Sequence, residues 1–232
     1  KSRKSFETIE NLDLRETESV SEQVEEGQIL EIHGDIEKGK AISISLQRSE
    51  DTTLRASADN GSIVKVGIKD NRWILLWKSG ELTVQIPDCL ASAKVISKGG
   101  AISSTGVRIP VELRTMGGGI SISKPGESFS LKTMGGGLDI SLDSSWAGNS
   151  KAKTMGGGIY IHLADDVEVL LDATTLGGTI SAGGNSPEVL SNSGKDYGNS
   201  KMQVRYGNSE NPPLLKVSTM GGGIVIEGGT DE

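Results

Sequence analysis

Thr115-Met116-Gly117-Gly118-Gly119-Ile120 returns almost unchanged from Thr133, Thr154 and Thr219, with looser copies at Ser97 and Thr175. The first glycines of these copies are Gly99, Gly117, Gly135, Gly156, Gly177 and Gly221, at intervals of 18, 18, 21, 21 and 44 residues. A phrase repeating at about 20 residues is the mark of stacked coils, each burying its apolar face against the next. The last interval leaves room for two coils of 22, or for one coil with an insertion.

The residues around each phrase alternate with period two. Before the glycines, Val95, Leu113, Leu131, Ala152, Ala173 and Val217 form one column and Ala93, Val111, Phe129, Ser150, Leu171 and Leu215 another. Lys94, Glu112, Ser130, Lys151, Asp172 and Lys216 lie between them. After the glycines, Ile102, Ile120, Leu138, Ile159, Ile180 and Ile224 align. Such alternation predicts strands with one buried face. Each repeat therefore reads as strand, glycine corner, strand and return loop. Strands linked so tightly pair in parallel by piling coil on coil, which predicts an all-β, parallel β-solenoid with interior ladders of like side chains. The glycines suit a crowded corner and tolerate positive φ.

The alternating runs Ser62-Ile63-Val64-Lys65-Val66 and Glu81-Leu82-Thr83-Val84-Gln85-Ile86 lie outside this register. Gly39, Gly61, Gly80 and Gly100 recur at 22, 19 and 20 residues, so coils could begin early. Longer strands and the missing triple glycine favour antiparallel hairpins that cover the first coil. The division expected is a β-rich region over 1–90 and a solenoid over 91–232, with a Gly/Ser/Asn-rich loop projecting at 183–200.

Composition narrows the function. Glycine reaches 32 of 232 residues while aromatics make up 3%, which favours an elongated body over an aromatic-anchored globule. A net charge of −7 argues against nonspecific nucleic-acid binding. No apolar run is long enough for a transmembrane span. Cys89 is the single cysteine, which excludes an internal disulfide and a cysteine-rich metal site. The chain starts Lys1-Ser2-Arg3, as expected if a leader had been removed.

The strand ending Val84-Gln85-Ile86-Pro87, the Thr-x-Gly-Gly-x-Ile coils and the run from Asn211-Pro212-Pro213 to Thr219 together resemble the bacterial putative-adhesin family. Its relatives are called toast-rack or head-GIN-type solenoid domains. The resemblance covers roughly residues 30–226. It implies an exported protein of the periplasm, outer membrane or cell surface, without enzymatic activity or cofactor. It brings no catalytic residues to this chain.

Four features are candidates for function. Met116, Met134, Met155 and Met220 form an apolar column with Lys98 and Leu176. These side chains either face solvent as a docking or dimerisation stripe, or pack inside the corner if the chain bends at Thr. Arg114, Lys132 and Lys153 stand on three successive rungs facing outward, a candidate stripe for an acidic glycan or lipid phosphate, or a plain solvated face. Trp73 and Trp77 share a strand face, as buried packing or as a sugar-stacking surface. The Thr column reads as a hydroxyl ladder satisfying stacked backbone groups.

Enzymatic chemistry finds little support. The acidic residues are scattered over different columns, and His33 and His162 are far apart, with His162 expected in solvent. No metal-ligand set recurs from turn to turn. The expected function is a non-enzymatic envelope binding or scaffold protein, with a glycan or an envelope or host surface protein as partner. A self-assembling solenoid that pairs through its edges and a carbohydrate-active β-helix enzyme are the alternatives.

Overall fold

The computed structural model describes residues 14–34, 42–59, 62–184, 187–193 and 199–229. These residues form strands and no helix. Gly39 and Gly61, the three leading residues and the last three lie outside them.

The N-terminal strands are β1 (Arg15–Thr17), β2 (Ser19–Gln23), β3 (Ile29–Gly34), β4 (Ile42–Ser49), β5 (Thr53–Ala58), β6 (Val64–Lys69), β7 (Arg72–Trp77) and β8 (Gly80–Pro87). The repeats supply β9 (Ser92–Ser97), β10 (Ala101–Thr105), β11 (Val111–Thr115), β12 (Ile120–Ser123), β13 (Phe129–Thr133), β14 (Leu138–Leu142), β15 (Ser150–Thr154) and β16 (Ile159–Leu163). The chain finishes with β17 (Val169–Thr175), β18 (Ile180–Gly184), β19 (Glu188–Ser193), β20 (Ser200–Tyr206), β21 (Leu214–Thr219) and β22 (Ile224–Gly228).

They build two facing sheets. The first runs β1-β6-β7-β3-β9-β11-β13-β15-β21-β17-β20-β19 and the second β18-β22-β16-β14-β12-β10-β4-β8-β5-β2. Each rung gives one strand to each sheet. Leu113 pairs with Leu131, and Leu131 with Ala152, on adjacent parallel strands. The interior columns are buried except at Ile180 on β18, which is partly buried. Ser150 is the polar exception among the apolar residues of its column. Its hydroxyl accepts from the Phe129 amide at 2.9 Å and the Trp146 indole at 3.2 Å. Trp146, in the loop that lengthens this coil, packs on Phe129 with ring centroids 6.2 Å apart.

Rung order departs from chain order at both ends. The pair β21/β22 sits between β15/β16 and β17/β18, pairing with both. The pair β3/β4 likewise sits between β7/β8 and β9/β10. The 44-residue interval is thus neither two sequential coils nor one coil with a simple insertion. The chain skips a rung position and later returns to fill it. The better copy at Thr219 lies inside, and the looser copies at Ser97 and Thr175 flank the intact run.

This corrects the division at residue 90. Both sheets cross it without a break, because β3/β4 and β7/β8 are solenoid rungs. Among the described residues before 90, hairpin-type pairing is confined to β1–β6–β7 and β2–β5–β8, which continue the two sheets antiparallel. The expected projecting loop at 183–200 is also corrected. It contains β19, which pairs antiparallel with β20 and forms an edge of the first sheet.

The corner has one repeated chemistry. Thr133 Oγ1 donates to the Gly118 carbonyl of the preceding rung at 2.7 Å and accepts from the Gly136 amide of its own rung at 3.2 Å. Thr115, Thr154, Thr219 and Thr175 make the equivalent pair of bonds. The middle glycine is required by space. A Cβ on Gly136 would lie 2.2 Å from the Gly118 carbonyl oxygen, whereas one on Gly137 would lie 3.2 Å from its nearest neighbour. Positive φ, expected at these corners, is absent from Gly136 and its equivalents Gly118, Gly157, Gly178 and Gly222; Gly100, at +77°, has it.

Gly136→Ala should therefore destabilise the chain by about 1–3 kcal/mol or more, and clearly more than Gly137→Ala. Thr133→Val keeps the shape but leaves a part-buried carbonyl and amide without their partner, at a cost of about 1–3 kcal/mol. Denaturant midpoints of the three variants against the parent chain measure both effects.

Candidate anion-binding face

The outer face of the first sheet collects positive charge from strands distant in sequence. Alternation turns Arg114, Lys132 and Lys153 outward from β11, β13 and β15, and the parallel register aligns them. Ser218 of β21 continues the column. In the neighbouring outward column Lys151 pairs with Lys216, with Ser130 on one side and Asp172 on the other. The out-of-order insertion of β21 is what places Lys216 beside Lys151.

Arg114, Lys132, Lys151, Lys153 and Lys216 thus surround a shallow depression of about 500 Å³. Arg114 forms an ion pair with Glu112. Lys132, Lys151, Lys153 and Lys216 have no ion pair among the described residues. Like charges on adjacent strands repel, and a bound anion relieves that repulsion. The stripe expected from three residues is therefore a patch of five cations. Lys151 and Lys216 were missed because their column reads as mixed in charge until strand order is known.

A second trough of about 620 Å³ shares Ser130, Lys151 and Lys216 and extends to Glu31, Arg72 and Lys94. Glu31, 8% exposed, lies 2.9 Å from Arg72 Nη1, 3.2 Å from Lys94 Nζ and 3.1 Å from His33 Nε2. The His33 hydrogen bond and then the charges of His33 and Lys94 outweigh burial, holding this carboxyl at about 2 against an ordinary 4.5. Glu31 pairs with Arg72 and Lys94 and offsets part of their charge. The free positive charge is concentrated at the other end, around Lys132 and Lys153.

The Met column is exposed: Met116 56%, Met134 44%, Met155 40% and Met220 45%. Packing inside the corner is excluded because the buried Thr hydroxyl occupies that place. Trp77 is buried, and Trp73 is half-buried against the core with its indole N–H donating to Gln28 at 2.8 Å. Neither offers a sugar-stacking face. Cys89 packs partly buried against the core.

On the opposite sheet, register stacks Ser141, His162 and Glu227 on neighbouring strands, a juxtaposition missed in the sequence. His162 is exposed, as expected, with Nδ1 3.6 Å from Glu227. No hydrogen bond joins Ser141 to His162 among the described residues.

No protein-family model matches the chain, and no curated relative does. The chain is similar to the solved structure of a putative cell adhesion protein from Clostridium sporogenes, at 13% identity and TM-score 0.49, over 94% of this chain and 100% of that one. It is also similar to a putative adhesin from Parabacteroides merdae, at 14% identity and TM-score 0.30, over 95% and 98% of the two chains. A third similar structure, a putative lipid binding protein from Parabacteroides distasonis, has 9% identity and TM-score 0.29, over 93% and 97%.

Because the folded-state pKa of Glu31 is depressed, its contribution to stability is complete above the ordinary carboxylate range and is lost as pH falls from 4.5 toward 2. Glu31→Gln should lower the thermal midpoint at neutral pH and flatten its decline across that acid window. Melting curves taken from neutral pH to pH 2 measure this.

Proposed function

We propose that this chain is a non-enzymatic binding and scaffold protein of the bacterial envelope, of adhesin type, exported to the periplasm, outer membrane or cell surface. In this reading the first sheet presents its basic patch to an anionic partner. The observation that carries it is the convergence of Lys132, Lys151, Lys153 and Lys216, without ion pairs among the described residues, on a chain of net charge −7. A fold rich in acid gains nothing in stability from crowding cations on one face. A rigid array at about 4.8 Å per strand does match repeated negative charge along a partner. Among the described residues no helix is long and apolar enough to cross a membrane.

Retention on a polyuronate resin tests this reading. The parent chain should be retained at low salt and released as salt rises, with Lys132→Ser/Lys153→Ser eluting at distinctly lower salt. Equal elution of the variant and the parent chain would overturn the proposal.

A further inference from the structure

The edge of the basic face carries a second feature that a polyanion does not use. Four of the chain's five methionines stand in one exposed column, Met116, Met134, Met155 and Met220, completed by Leu176. Each directly follows the last residue of one of the neighbouring strands β11, β13, β15, β21 and β17, so the stripe spans roughly 19 Å at about 4.8 Å per strand. The three-glycine corner that follows each Met has no side chains to hold the thioethers back from a surface. On one flank, two residues earlier, lies the Arg114, Lys132, Lys153 column. On the other, Tyr160 is 53% exposed and leans toward the corner, its Cε2 3.6 Å from where a Gly158 Cβ would be. Asp139 is the register partner of Tyr160 on the neighbouring strand.

We propose that the anionic partner is the surface of a phospholipid bilayer, on which the chain docks edge-on through this methionine corner. This rests on the anion-binding reading of the same face. Thioethers are apolar and adaptable, suited to the boundary between headgroups and acyl chains. Lysine ammoniums two residues away then lie at phosphate level, and Tyr160 occupies the interfacial zone where aromatic rings with a polar tip are favoured. A hydrated polyanion would leave the stripe in water. A second copy pairing stripe to stripe would bring two columns of Arg114, Lys132 and Lys153 together, and like charge opposes that.

Flotation with phosphatidylcholine vesicles, with and without phosphatidylglycerol, tests the inference. The parent chain should float with the anionic vesicles and remain in solution with phosphatidylcholine alone. Met134→Gln/Met155→Gln should reduce flotation on the order of tenfold while leaving polyuronate retention and the thermal midpoint unchanged. Met134→Leu/Met155→Leu, which keeps the apolar surface, should float like the parent. Undiminished flotation of the glutamine variant overturns the docking proposal. So does a parent chain that binds polyuronate but no vesicle, which would make the partner a soluble polyanion. A concentration-dependent dimer that the glutamine variant dissolves, without flotation, would assign the stripe to a second copy. Loss of the lysine effect on the resin would instead overturn the anion-binding reading itself.

Discussion

Five consecutive rungs depend on the bond between a threonine hydroxyl and the glycine carbonyl one rung away. The inner side of the corner is partly buried between the two sheets, so the amide and carbonyl there need partners from within. Thr133 meets two of these needs at once, tying Gly136 of its own coil to Gly118 of the preceding one. That tie holds only while the backbones approach closely, and the approach requires the middle residue to lack a Cβ. Threonine and glycine are therefore one device. The flanking aliphatic columns follow from the pitch it sets.

The same device determines what the surface can be. With the hydroxyl inside, the next side chain turns outward, and outward again two residues earlier. One corner thus generates both the methionine stripe and the Arg114, Lys132, Lys153 column, held in line by strand register. Stacking turns a short motif into a surface with an apolar border and a basic field. No loop conformation has to be invoked for it.

Much of this was legible because period-two alternation reports faces directly. Leu113, Leu131 and Ala152 are neighbours as the columns implied, and Arg114, Lys132 and Lys153 are aligned outward. Neighbourhood between distant strands is a different kind of information. Nothing in the spacing of Gly177 and Gly221 reveals that the later coil lies inside the earlier one. The fidelity of the copies was the available signal, since the intact motif at Thr219 needs a partner on both sides. The exposure of the Met column was undecided in sequence because two occupants competed for the corner, and the small polar one took it. Likewise, Trp73 and Trp77 were placed on one strand face by alternation, but which side of the sheet was buried required the partner strands β3 and β6.

The way both ends are closed has a consequence for how such a protein grows over evolutionary time. Each terminus is interlocked: a strand pair from further along, or from earlier, is wedged between two others. Appending a turn at either extremity would break that lock. The stretch from β11 to β16, where successive turns follow in simple order, has no such restriction. Duplications inserted there lengthen the body while both closures survive, so a longer relative is expected to carry its extra turns in the middle and unchanged clasps at its ends.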